Sequence, residues 1–394
     1  MIAHELTNSV KGVAKNLATN LMGYYRSQPE TTVKGFPPIL GVWVSGLVWS
    51  TLIDYQHYTG DDTFSGEVTA ALTNEELLGA NNDFLYDRNV SFRATDDVAN
   101  LGLAALTAAE RNFPAKLRRR LFDDKVCDGG IPWQIDSGNS PVYVSTLGTG
   151  AVFQLAARLA RLTGDEDGSY ANFASQLWDW TVEVGFITED FEVVDGASAI
   201  TNCQSINRVQ LTQSSGLYLL GAAALANVTG DQQWTDRTKG LAARIAENFF
   251  VGGGDNGGVM VEIACEAAQT CPSDMQAMKG GLATALWRAT QMAPFLDGLL
   301  RPLLEASAKA AAASCTFGRS KEDCPIIWDA DITGINNSLT GPGQQVSVLA
   351  IVQGLLMSSA DAPTRETTPL AVARARPIKE TLRAMMIPAP SACV

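Results

Sequence analysis

The stretch "SSGLYLLGAAALANVTGDQQWTDRTKGLAARIAENFF", Ser214–Phe250, decides the fold. Apolar residues recur three and four apart on both sides of the central TGD, the period of an amphipathic helix. Gly230 ends the first run as a C-cap glycine, and Asp231 opens the second as an N-cap. The same junction returns in "YTGDD" (58–62) and "LTGDEDGS" (162–169). A recurring helix-TGD-helix unit predicts stacked helical hairpins. The periodicity predicts helices at roughly 4–25, 38–58, 64–79, 96–112, 114–123, 146–163, 168–184, 207–228, 231–249, 272–292, 294–313 and 345–359. Twelve helices make six hairpins. The expected fold class is therefore all-α, an (α/α)6 barrel whose inner-helix loops line a funnel at one end. An open solenoid is the rival, but no fixed period favours it. "FEVVDG" (191–196) and "GGVMVEIAC" (257–265) are the candidates for short hairpins. Residues 1–358 read as one barrel domain. Residues 359–394, rich in Pro and Arg, read as an appended tail, ordered where it docks.

Composition narrows the function. The chain has 394 residues and a net charge of −13, with 46% hydrophobic and 18% charged residues. The negative balance argues against nucleic acid and against a polybasic membrane contact. No apolar run is long enough to span a bilayer, and no lipid-anchor signal ends the chain. Two histidines, His4 and His57, leave no basis for a His-based zinc site or a Ser-His-Asp triad. His57, beside aromatic residues at a helix end, reads as packing. Seven cysteines contain no CxxC pair. Cys265–Cys271 and Cys315–Cys324 each close a short loop and look like local disulfides, provided the chain meets an oxidising compartment. Asn89, Asn227 and Asn336 head glycosylation sequons, which suit a secreted protein. No signal peptide precedes "MIAHELTNSVKG", so the expectation is cytoplasmic if the sequence is complete and secretory if a leader was removed.

Several motifs receive plain readings. "GGGDNGG" (252–258) lacks the GK[ST] ending of a phosphate loop and reads as a turn. "LRRRLFDDK" (117–125) reads as a solvated helix face. Trp178 and Trp180 of "WDW" read as core. Glu262 and Glu266 lie near the expected funnel and read as salt-bridge or surface residues. The exception is "TDDVANLGLAALTAAERNFP" (95–114), where Asp96 and Asp97 sit together at the start of an apolar helix. Paired carboxylates there are either a helix cap or a catalytic pair.

These stretches together resemble one family, the fungal glycoside hydrolase family 76 proteins, which include α-1,6-mannanases and cell-wall transglycosidases. The resemblance is carried in collinear order by "IDYQHYTGDD", "TDDVANLGLAALTAAERNFP", "CDGGIPWQI", "FQLAARLARLTG", "WDWTVEVGFI", "YLLGAAALANVTGDQQW", "VMVEIACEAAQTC", "MKGGLATALW" and "SAKAAAASC", over roughly residues 5–358. It implies the (α/α)6 barrel and disulfide-bonded cysteines. It also implies a retaining mechanism in which Asp96 and Asp97 supply one nucleophile and one acid/base, carboxyl groups about 5 Å apart suiting that chemistry.

The surroundings of the pair depart from the family pattern. Val98, Asn100 and Leu101 stand where the family has Gln, Phe and Trp. Val42 and Val44 replace Trp and Glu; Leu211, Gln213 and Ser214 replace Trp, Tyr and Asn; Pro132 replaces Arg next to Trp133. Losing a buried hydrogen-bond partner costs about 1–3 kcal/mol, so these changes weigh against a polysaccharide. Val42, Val44, Val98, Asn100, Leu101, Pro132, Trp133, Leu211 and Gln213 are the expected substrate-lining residues. The leading expectation is a repurposed barrel with a drier, apolar pocket that takes a small molecule and cyclises it without cofactor or metal, a Diels–Alder closure being one such step. The alternative is a retaining α-1,6-mannanase or transglycosidase using Asp96 and Asp97. The third is a non-catalytic ligand-binding protein.

Overall fold

The computed structural model describes residues 2–28, 42–73, 94–113, 126–134, 142–252, 258–317, 322–329 and 340–364. Eleven α-helices lie within them: α1 (Ile2–Arg26), α2 (Val42–Thr59), α3 (Ser65–Ala71), α4 (Thr95–Glu110), α5 (Thr146–Thr163), α6 (Ser169–Glu183), α7 (Thr212–Thr229), α8 (Gln232–Asn248), α9 (Met278–Met292), α10 (Asp297–Ser314) and α11 (Pro342–Gln353). The TGD junctions act as their chemistry predicts. Gly164 and Gly230 take left-handed conformations at the ends of α5 and α7, and the Asp231 carboxylate caps α8.

The helices fall into two layers. In α2, α4, α5, α7, α9 and α11 nearly every side chain is buried, which marks a helix enclosed on all sides. These six form a closed ring, each packing on the next and α11 returning to α2. Helices α1, α6, α8 and α10 are amphipathic and pack outside it. The ring is an (α/α)6 barrel, as the hairpin count predicts. Its helices run parallel: the starts of α2 and α4 meet at the Trp43–Asp97 hydrogen bond, and the starts of α7 and α9 meet where Gln213 lies over Gly281. All six N-termini therefore face one end, the mouth.

Close approach inside the ring depends on glycine at particular positions. A Cβ on Gly46 of α2 would lie 2.5 Å from the backbone of Asn100 in α4. Gly46→Ala is expected to cost about 1–3 kcal/mol, because backbone cannot yield as a flexible side chain can. Chemical denaturation with an unchanged m-value is the check.

The far end of the ring holds buried charge. Arg288 of α9 binds Asp54 of α2 at 2.7 Å, Arg111 binds the other Asp54 oxygen at 3.1 Å, and Arg158 of α5 binds Glu110 at 2.6 Å. The Thr107 hydroxyl accepts from both Arg158 and Arg288. Residues 361–364 dock at this end: Arg111 donates to the Asp361 carbonyl, Arg161 to those of Pro363 and Thr364. His57 joins that contact, at the opposite end from Asp96.

At the mouth, a three-stranded antiparallel sheet joins β1 (Tyr143–Ser145), β2 (Val194–Ser198) and β3 (Ile206–Gln210). It corrects the expectation of a helix from 207: residues 206–210 pair with β2, and α7 begins at Thr212. Disulfides Cys265–Cys271 and Cys315–Cys324 match the short-loop expectation. A third, Cys127–Cys203, ties the 126–134 segment to the β2–β3 hairpin. Trp178 and Trp180 are core, as expected. Glu262 and Glu266 are fully buried. The sequon at Asn227 serves the fold, its amide donating to the Met292 carbonyl and accepting from Arg161. The sequons at Asn89 and Asn336, the segment 117–125, the centre of "GGGDNGG" and residues 365–394 lie outside the described residues.

Candidate active site

Asp96 and Asp97 sit at the mouth, at the start of α4. The segment before β1 is stitched to that start. The Thr95 amide donates to the Trp133 carbonyl at 2.6 Å, and the Thr95 hydroxyl to the Pro132 carbonyl at 2.6 Å. This brings the Trp133 indole to Asp96, where Nε1 donates to Oδ1 at 2.9 Å. Asp97 lies between two helix N-termini. Its Oδ1 accepts from the Trp43 amide of α2 at 2.8 Å, and its Oδ2 from the Ala94 amide before α4 at 3.2 Å. Backbone N–H groups and helix dipoles both favour negative charge there. Asp97 is thus a helix cap in geometry, and one carboxylate serves two helices.

The two carboxyls differ in environment. Asp96 is 5% exposed and Asp97 half-buried. Burial, and then the charge of Asp97, push Asp96 up to about 7; the indole hydrogen bond opposes this and does not prevail. Asp96 is the member whose proton is held up toward neutral pH, and the pair titrates as a unit. This is an acid beside an anion, the division that two-carboxylate chemistry needs.

The other expected site residues are spread more widely. Asn100, one turn below Asp96, donates from Nδ2 to the Asp96 carbonyl and lines an axial cavity with Gln213. Leu211 is the buried residue preceding α7, and Val98 is buried beside the pair. Pro132 and Trp133 are half-buried at the mouth. Val42 is 44% exposed at the start of α2, whereas Val44 and Leu101 are packed in the core. The cavity departs from the apolar pocket expected. Leu47, Leu103 and Leu217 line it, but so do Ser50, Gln154, Thr284, Arg158 and Arg288.

A second buried cluster lies at the mouth between α7 and α9. Glu262 accepts from the Thr212 amide at 3.0 Å and from its hydroxyl, capping α7. Glu266 binds Lys279 at 2.8 Å, and the ammonium sits 3.8 Å from the Trp328 ring centroid. Burial pushes Glu262 up to about 7. Asp96 and Glu262 therefore bind protons more tightly folded than unfolded. The stability they contribute is full below the ordinary carboxylate range and is lost as pH rises through about 7. The melting temperature is expected to fall between about pH 5 and pH 8, and Asp96→Asn to flatten part of that slope. An unchanged slope in the variant would assign the effect elsewhere.

The model of glycosyl hydrolase family 76 matches residues 9–367. The chain belongs to that family. Among family 76 relatives, the mannan endo-1,6-alpha-mannosidase DCW1 of Saccharomyces cerevisiae is 32% identical over 364 residues, covering 87% of this chain and 78% of its own. The DCW1 protein of Candida albicans is 32% identical over 369 residues, covering 88% and 80%. Among solved structures, Dfg5 from Chaetomium thermophilum in complex with glucosamine aligns with a TM-score of 0.80 at 29% identity, over 95% of this chain and 98% of that one. An α-1,6-mannanase from Salegentibacter shares the fold, with a TM-score of 0.64 at 19% identity over 88% and 99%.

Proposed function

We propose that this family 76 barrel acts on α-1,6-linked mannose units, as a retaining hydrolase or a transglycosidase, through Asp96 and Asp97. The observation that carries the reading is the pair itself: one buried carboxyl held by the Trp133 indole beside a second bound by the backbone amides of two helix N-termini. One carboxylate attacks the anomeric carbon as the glycosidic C–O bond breaks, and the other carboxyl gives its proton to the leaving oxygen. That second group then takes a proton from water, or from a sugar hydroxyl, as the new C–O bond displaces the enzyme carboxylate. The fungal relatives named as mannan endo-1,6-alpha-mannosidases supply the substrate class. Three disulfides suit an oxidising compartment, where a cell-wall glycan is met.

Cyclisation of an apolar small molecule draws no comparable support. Val44 and Leu101, two of the replacements that motivate it, pack into the core, and the cavity below the pair has a mixed wall in which amides, hydroxyls and two guanidiniums stand among leucines.

The test is incubation with α-1,6-mannotetraose, alone and with a mannoside acceptor, the products and their anomeric configuration being followed by NMR. Cleavage or transfer with retained configuration supports the reading. Intact mannotetraose in both arms, with conversion of a polyene or terpenoid panel, would replace it by the cyclase.

A further inference from the structure

Between the carboxylate pair at the mouth and the ion cluster at the far end, the barrel axis is hollow. The cavity measures about 30 Å³. A single water needs roughly 10–15 Å³ on this measure, so there is room for two waters or one halide ion. Among the described residues its wall carries two guanidiniums, Arg158 and Arg288, and no carboxylate. Two buried polar atoms on that wall, Gln213 Oε1 and Thr284 Oγ1, have no hydrogen-bond partner. Gln213 is 3% exposed, and its carboxamide lies over the bare backbone of Gly281, which also lines the cavity. A half-turn of that amide presents its NH₂ group to the same space.

The charge balance around the hollow is uneven. In the network that flanks it, Arg111, Arg158 and Arg288 face Asp54 and Glu110, and all five side chains are 3% exposed or less. Among the described residues of this network, which also has Arg161 beside Glu110, buried guanidiniums outnumber buried carboxylates, and unbalanced charge is costly in a low-dielectric interior. Carbonyls at the C-terminal ends of the inner helices offset part of it. The cavity, however, extends from the guanidiniums toward the N-terminal, positive ends of the same helices. Arg158 turns Nη1 toward the cavity wall, onto Gln154 Oε1 at a long 3.3 Å, while Nε and Nη2 bind Glu110.

We propose that the axial cavity binds one small monovalent anion, chloride in ordinary media, held by Arg158, Arg288, the Thr284 hydroxyl and the Gln213 amide. The anion balances the buried charge and links α5, α7 and α9 across the axis. The inference is independent of the reaction at Asp96 and Asp97.

The test uses the full chain exchanged into sodium gluconate. Thermal unfolding is followed while chloride or bromide replaces gluconate at constant ionic strength, and ³⁵Cl NMR linewidth is measured in parallel. The expected result is a saturable rise in melting temperature with either halide, and ³⁵Cl broadening that bromide reverses. Thr284→Val is expected to weaken the halide response at least tenfold while the variant remains folded in gluconate. Ala285→Leu, which fills the cavity, is expected to abolish the response. Equal melting temperatures in gluconate and chloride with no ³⁵Cl broadening would overturn the proposal and leave water in the cavity. So would a halide response that neither variant alters.

Discussion

Replacing Asp96 or Asp97 by asparagine is expected to lower turnover of α-1,6-mannotetraose by at least about 10²–10⁴-fold, the range for loss of a general acid or base, and by more for loss of a nucleophile. The two variants separate chemistry from capping. Asp97 joins the N-termini of α2 and α4 through two backbone amides. Asp97→Ala is therefore expected to lose about 1 kcal/mol of stability as well as activity. Asp96 is buried against a like charge, and Asp96→Asn removes that repulsion while keeping the side-chain shape. Its melting temperature near pH 8 is expected to equal or exceed that of the parent, with activity gone. Roles within the pair follow from rescue. The acid/base variant retains cleavage of an aryl mannoside whose leaving group needs no proton. The nucleophile variant regains turnover only with azide. Full activity in both variants would reduce the pair to a cap and remove the proposed function.

Sequence pattern and structure agree most closely where the physics is local. A glycine that must turn left-handed and an aspartate that must cap are legible at Gly164, Gly230 and Asp231. From them the inner-outer alternation follows. The start of α7 was not legible, because Val209 continues a helical spacing while its strand pairs with β2. Cys127–Cys203 closes across 76 residues, a separation that no local rule proposes. Trp133 illustrates a subtler limit. Motif matching names it as a substrate contact, and only the geometry shows that its indole N–H binds Asp96. Val44 and Leu101 show the converse, since a motif position does not say which way a side chain points. The axial cations were hidden for another reason. Arg158 and Arg288 interrupt apolar helices and would read as solvent-facing, yet their partners are 48 and 234 residues away.

That hidden network carries the second large effect. Asp54 uses one oxygen for Arg288 and the other for Arg111, and both guanidiniums hold it well below the ordinary carboxylate range despite burial. Asp54→Ala would leave two buried cations without their anion. The expected cost is about 3–5 kcal/mol, a large share of the 5–15 kcal/mol that typically holds a domain folded. Arg288→Met is expected to cost less, because Arg111 still neutralises Asp54. The pair Asp54→Leu with Arg288→Met is expected to recover part of the loss, since it removes one of the two cations left without an anion while Arg111 stays unneutralised. Equal losses in Asp54→Ala and the double variant would locate the stabilisation in packing rather than charge. The pH dependence has the opposite sign from that of Asp96. A carboxyl depressed in the folded state stabilises above its ordinary value and is lost as pH falls through the folded one. Asp54 and Glu110 therefore set the acid limb, and Asp96 and Glu262 the limb above it. Stability is expected to peak between them, with the far end of the barrel failing first in acid and the mouth loosening first toward alkaline pH.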